Sequence, residues 1–215
     1  MKVSRQEKLL DLVRKAGILR PRDLDDHGIP RQYLRILCDS GVVERVGRGL
    51  YVASDAEPSE YQTLAAASKR VPQGVICLLS ALQFHGLTTQ SPFEVWMAIE
   101  RTSRKPRAND LPLCIVRFSG EAFSSFIENQ DFAGVELRVY SPAKTVADCF
   151  KYRNKIGLDV AIEALRETWR RRRATMDELW RAAAVCRVQN VMRPTSSRSP
   201  EAPATSATQS HLIVL

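Results

Sequence analysis

The chain has 215 residues, 44% of them hydrophobic and 26% charged, with a formal net charge of +8. Length and composition fit a folded protein of one or two domains and exclude disorder over most of the chain. The cationic surplus favours a polyanionic partner, nucleic acid or an acidic membrane surface. No apolar run reaches the roughly 20 residues needed to cross a bilayer. The polar start after Met1 argues against a secretory signal.

Ser4 to Glu7 fits a capping box, with Leu9, Val13 and Ala16 at helical spacing behind it and Gly17 to end the helix. Pro21 suits the first turn of a short second helix, Arg22 to His27, closed by Gly28. Pro30 opens a third, running to Ser40 and closed by Gly41. Val42 to Val46 and Leu50 to Ala53 read as two strands joined by the glycine turn at 47–49. Three short helices followed by a hairpin form the pattern of a winged helix-turn-helix.

The third helix sorts into faces. Leu34, Leu37 and Cys38 face inward, while Arg31, Gln32 and Arg35 share another side. Arginine grips guanine, and glutamine grips adenine, through two hydrogen bonds each in the major groove. Pro30 sets these residues near the helix N-terminus, the end that meets base edges in such modules. Tyr33 either touches the DNA backbone or completes the core. In the hairpin, Arg45 and Arg48 are placed to hold phosphates, which adds affinity without reading sequence. The competing reading is a protein-interaction module, whose helix-turn-helix docks a partner protein and not DNA.

Asp55 to Ser59, with Pro58, reads as a joint. A helix is expected from about Ser59, with Tyr61, Leu64, Ala65 and Ser68 on one side, and a buried helix over Val75 to Leu87. Strands are expected at Phe93 to Ile99, Leu113 to Phe118 and Val135 to Tyr140. Between the first two lies a basic loop with Arg101, Arg104, Lys105 and Arg107. Ser141-Pro142 caps a helix carrying Lys144, Val146, Asp148 and Phe150. Further helices are expected at Leu158 to Arg171 and Met176 to Val188. The fold class is α+β: an N-terminal winged helix-turn-helix (1–54) and a C-terminal domain with a small mixed sheet flanked by helices (59–193). The stretch 194–215 is rich in Ser, Thr, Ala and Pro and reads as a disordered tail.

Candidate chemistry is sparse. Ser80 and His85 lie five positions apart on an expected helix, about 140° around its axis, so a nucleophile–base dyad would need the helix to break between them; the structural reading is a helix-packing serine and a histidine at the helix C-terminus. Lys144 and Asp148, spaced i,i+4, read as a surface ion pair, with a functional role at the surface as the other reading. The run Arg170 to Arg173 suits the negative end of a helix dipole. Alternatively Arg171 and Arg172, with Arg104, Lys105 and Arg107, form a second basic patch. Cys38, Cys77, Cys114, Cys149 and Cys186 are scattered among apolar neighbours, as reduced core residues would be. His27, His85 and His211 have no metal-ligand spacing. No phosphate-binding glycine motif is present. No metal, cofactor or enzymatic activity is expected, and the location implied is cytosolic.

Five segments together resemble the AbiEi-type antitoxins, the regulator half of bacterial type IV toxin–antitoxin (abortive infection) systems. They are RVGRGLY at 45–51, SALQFHGL at 80–87, SPAKTVAD at 141–148, DELW at 177–180 and NVMRP at 190–194. The resemblance implies a winged-helix domain that binds inverted repeats in its own promoter and represses it. It also implies a C-terminal domain that counteracts a nucleotidyltransferase-like toxin, directly or indirectly. The partners implied are therefore double-stranded DNA and that toxin, and no membrane. The toxin's own Gly-Ser entry to an aspartate pair is missing from this chain.

Overall fold

A computed structural model describes residues 5–47, 49–55, 61–106, 111–132 and 135–196, with side chains to 193. Helix α1 spans Arg5–Ala16; the Ser4 expected to cap it lies outside the described residues. Pro21–His27 is wound as a 3₁₀ helix, and its Asp23 accepts a hydrogen bond from the Arg20 backbone N–H at 2.9 Å. Helix α2, Gln32–Asp39, follows two turn residues, Pro30 and Arg31. Gly17, Gly28 and Gly41 all take positive φ (59°, 61° and 70°), the conformation that lets each short helix stop and reverse.

Strands β1 (Val43–Gly47) and β2 (Leu50–Ala53) form the expected antiparallel hairpin, with an irregularity between Arg45 and Gly47. Leu19 exchanges both backbone hydrogen bonds with Tyr51, so the segment after α1 is tied to the hairpin by one antiparallel bridge. Leu9, Val13, Leu19, Leu24, Ile29, Leu34, Leu37, Val43 and Ala53 form one apolar core for this region.

Helix α3 (Gln62–Arg70) leads to a five-stranded mixed sheet of order β5-β4-β3-β7-β6. Its strands are β3 (Val75–Ile76), β4 (Val95–Glu100), β5 (Leu113–Phe118), β6 (Ile127–Phe132) and β7 (Val135–Tyr140). The expected helix over Val75 to Leu87 is in fact two elements. Val75 and Ile76 form the central strand, and helix α4 covers Leu78–Phe84. Two β-branched residues buried on both sheet faces satisfy strand and helix patterns alike, so apolar periodicity cannot separate them. Strand β4 starts two residues later than expected, leaving Phe93 89% exposed. Strand β6 was not expected: IENQDF is a polar edge strand, paired on one side by β7.

Short helices α5 (Glu121–Ser124) and α7 (Arg153–Ile156) flank the longer α6 (Pro142–Lys151). The described residues end with α8 (Leu158–Arg170), α9 (Met176–Cys186) and α10 (Gln189–Ser196). Helix α9 stops before Val188 because Arg187 turns left-handed at φ 59°. Helix α10 carries the backbone into the stretch read as a tail, and 197–215 lie outside the described residues. One sheet face, with Val75, Trp96, Ala98, Val116 and Tyr140, packs on α4, α6, α8 and α9. The other, with Ile76, Met97, Leu137 and Val139, packs on α3 and on Ile18, Leu50 and Val52 from the N-terminal region. The architecture is α+β, N-terminal helices followed by a mixed sheet with helices on it.

Helix α6 corrects the expectation of a surface pair. Ser141 caps it as expected, accepting from the Lys144 N–H. Every residue from Pro142 to Phe150 is buried, because α4, α8 and α9 all pack on this helix. Lys144 and Asp148 are 0% and 1% exposed, and their charged ends are 2.5 Å apart. The ammonium also lies 4.2 Å from the Tyr140 ring centre and 4.7 Å from that of Phe118, within cation–π range. The Cys186 thiol donates to the second Asp148 oxygen at 3.2 Å, tying α9 to the pair. Burial raises the Asp148 carboxyl above its usual range, against the pull of Lys144. Removing one partner strands a charge in the core. Asp148→Ala is expected to cost about 3–5 kcal/mol in urea unfolding, and the apolar pair Lys144→Met with Asp148→Leu less than that.

Candidate nucleic-acid interface

The orientation of α2 follows from its apolar side. Leu34 and Leu37 are buried against Leu9, Val13 and Leu24. Arg31, Gln32 and Arg35 are consequently all exposed on the opposite side, at the N-terminal end of the helix. Tyr33 is half-buried and packs against the same core.

The cations are lightly restrained. Arg31 makes a two-pronged contact with Asp25 of the 3₁₀ helix, Nε to Oδ1 at 3.3 Å and Nη2 to Oδ2 at 2.6 Å. Both side chains stay more than half exposed, so solvent screens the pair and it gives way easily. Arg35 stands 3.8 Å from Asp39 one turn on, at the limit of an ion pair. Arg45 is exposed on β1, its Nε donating to the Gly47 carbonyl at 3.1 Å. It lies close enough to α2 to act on Cys38, whose thiol is raised by burial and by Asp39 and lowered by Arg45. Arg48 lies outside the described residues.

The second set of cations lies in two segments far apart in sequence, after β4 and at the end of α8. Arg104 and Lys105 are exposed in the segment after β4, and Arg107 lies outside the described residues. The guanidinium of Arg117, which sequence reasoning did not single out, donates to the carbonyls of Arg101 and Ser103 and pins that segment. Arg171 donates to Glu167 at 2.9 Å and shares it with Arg170; Arg172 is exposed.

Ser80 and His85 both have structural work. The Ser80 hydroxyl accepts the Trp96 backbone N–H at 2.9 Å, fastening α4 to β4. His85 Nε2–H donates to the Tyr140 carbonyl at 2.7 Å, fastening the end of α4 to β7. All five cysteines are free, with Cys77, Cys149 and Cys186 buried. Among the described residues no three His, Cys, Asp or Glu side chains cluster as metal ligands, and no helix is long and apolar enough to cross a membrane.

Residues 7–54, from α1 through β2, match a family model described as "Transcriptional regulator, AbiEi antitoxin". This segment is of the AbiEi antitoxin type. The AbiEi segment holds Arg31, Gln32, Arg35, Arg45 and Arg48, all five cations and amides singled out in its helix and hairpin. No curated protein matches the chain. The crystal structure of the RV2827C protein from Mycobacterium tuberculosis shares the fold, with a TM-score of 0.53 over 92% of this chain and 83% of that one. Sequence identity is 13%, so the likeness is one of architecture. It extends the comparison beyond the AbiEi segment to the sheet and its helices.

Ser80→Ala leaves the Trp96 N–H buried without its acceptor and is expected to cost about 1–3 kcal/mol in denaturant unfolding. Burial holds His85 below its ordinary 6.5, opposed by its bond to Tyr140 and aided by Arg173. A histidine depressed on folding stabilises the native state above the unfolded value. That contribution is lost as pH falls from about 6.5 through the folded value. Unfolding midpoints measured across this range should fall with pH in the wild type, and the slope should flatten in His85→Gln.

Proposed function

We propose that this chain is a DNA-binding antitoxin and transcriptional autorepressor of a type IV toxin–antitoxin operon. In this reading residues 1–54 are a winged helix-turn-helix that binds inverted repeats in its own promoter. Residues 59–193 form the domain that counteracts a nucleotidyltransferase-like toxin in the cytosol. The observation that carries it is the exposed Arg31, Gln32 and Arg35 at the cap and along one short helix inside the segment matched to the regulator family.

The chemistry is direct. Helix α2 enters the major groove, where Arg35 and Arg31 grip guanine edges and Gln32 an adenine edge. Arg31 exchanges Asp25 for a base, a small loss because the pair is solvent-exposed. Arg45 and Arg48 hold phosphates beside it, and Arg104, Lys105, Arg107, Arg171 and Arg172 supply a secondary basic patch. The net charge of +8 makes association salt-dependent.

A mobility shift on the upstream promoter at about 0.15 M salt tests this. Arg35→Ala should cost on the order of 1–3 kcal/mol and relax sequence preference. Arg45→Ala should weaken all DNA sites alike and reduce the salt slope by about one. Failure of the wild type to prefer its promoter over unrelated DNA would overturn the proposal.

A further inference from the structure

Helix α2 carries one outward residue, Ile36, that its polar neighbours do not explain. Ile36 is 42% exposed and belongs to none of the three apolar clusters among the described residues. A single exposed aliphatic side chain is ordinary on a surface. Its position is what matters here. At about 100° per residue, Ile36 lies about 40° from Gln32 and one turn further along the axis. It sits on the arc that also carries Arg35, while Leu34 and Leu37 hold the opposite side in the core.

The two side chains are complementary to one kind of base pair. The Gln32 amide matches the N6 and N7 edge of adenine. The thymine paired with that adenine presents a C5 methyl in the same groove, the one apolar group on any base edge there. An aliphatic side chain one turn from the glutamine removes that methyl from water. A charged or amide group at the same point would gain nothing from it.

We infer that Ile36 is a specificity-determining residue that reads a thymine C5 methyl beside the Gln32 contact in each half-site. The inference rests on the DNA-binding reading of α2. Arg31 and Arg35 then favour guanine, and Gln32 with Ile36 select an A·T pair between or beside them.

Replacing single thymines of the promoter site by deoxyuridine removes the methyl and nothing else. In titrations with the full chain, the wild type is expected to lose about three- to fivefold in affinity at one A·T position per half-site, the worth of a buried methyl. Ile36→Ala should bind the unmodified site more weakly and show no further loss with deoxyuridine at that position. Ile36→Val should keep part of the sensitivity, and covers the case in which alanine disturbs the helix. If the wild type prefers its promoter but no deoxyuridine weakens it, or if Ile36→Ala is equally sensitive, the role of Ile36 is wrong and the DNA reading stands. If the wild type shows no preference for its promoter, both fall.

Discussion

The orientation of α2 depends on the burial of Leu34 and Leu37 against α1 and the 3₁₀ helix. An eight-residue helix cannot hold its own shape in water, so packing decides both whether it forms and which way it faces. With that side fixed, Arg31, Gln32, Arg35 and Ile36 have nowhere to go but outward. The positive-φ glycines at 17, 28 and 41 let three short elements fold back on one another tightly enough to build the core.

The hairpin ties this unit to the rest of the molecule. Strand β2 is covered on both sides: Ala53 and Tyr51 face the helical core, and Leu50 and Val52 face the sheet with Ile18. A polar clasp reinforces the seam. Arg20 donates to the Lys69 carbonyl at 3.0 Å, and the Lys69 ammonium lies 3.6 Å from Asp23. The helix proposed to read DNA is thus positioned by a scaffold that includes α3 and the sheet. Changes at the seam would reach α2 through packing. The second half of the chain is organised around another buried feature, the Lys144–Asp148 pair under α9, whose geometry is satisfied by two aromatic rings and a thiol.

The N-terminal elements were legible because each short helix is marked at both ends, by proline or a polar cap and by glycine. The outward face of α2 was legible for the same reason: two leucines three apart leave little choice. Ile36 was missed because an aliphatic residue on a helix reads as core until its burial is known. The sheet was harder. Val75 and Ile76 sit at its centre, and a two-residue strand carries no period. Strand β6 has too few apolar residues to show alternation. The i,i+4 spacing of Lys144 and Asp148 signals a solvated pair on most helices. What buries it is the convergence of α4, α8 and α9 on α6, a tertiary fact that no local pattern contains.

The central claim is that α2 and the hairpin, held by the core beneath them, are the surface that meets DNA. Backbone amide chemical shifts of the full chain, recorded with and without its promoter duplex, test it most directly. The account predicts that changes concentrate at residues 30–39 and around Arg45, are smaller with an unrelated duplex, and leave the buried face of the sheet unmoved. Unchanged amides across α2, with the response confined to other surfaces, would contradict it.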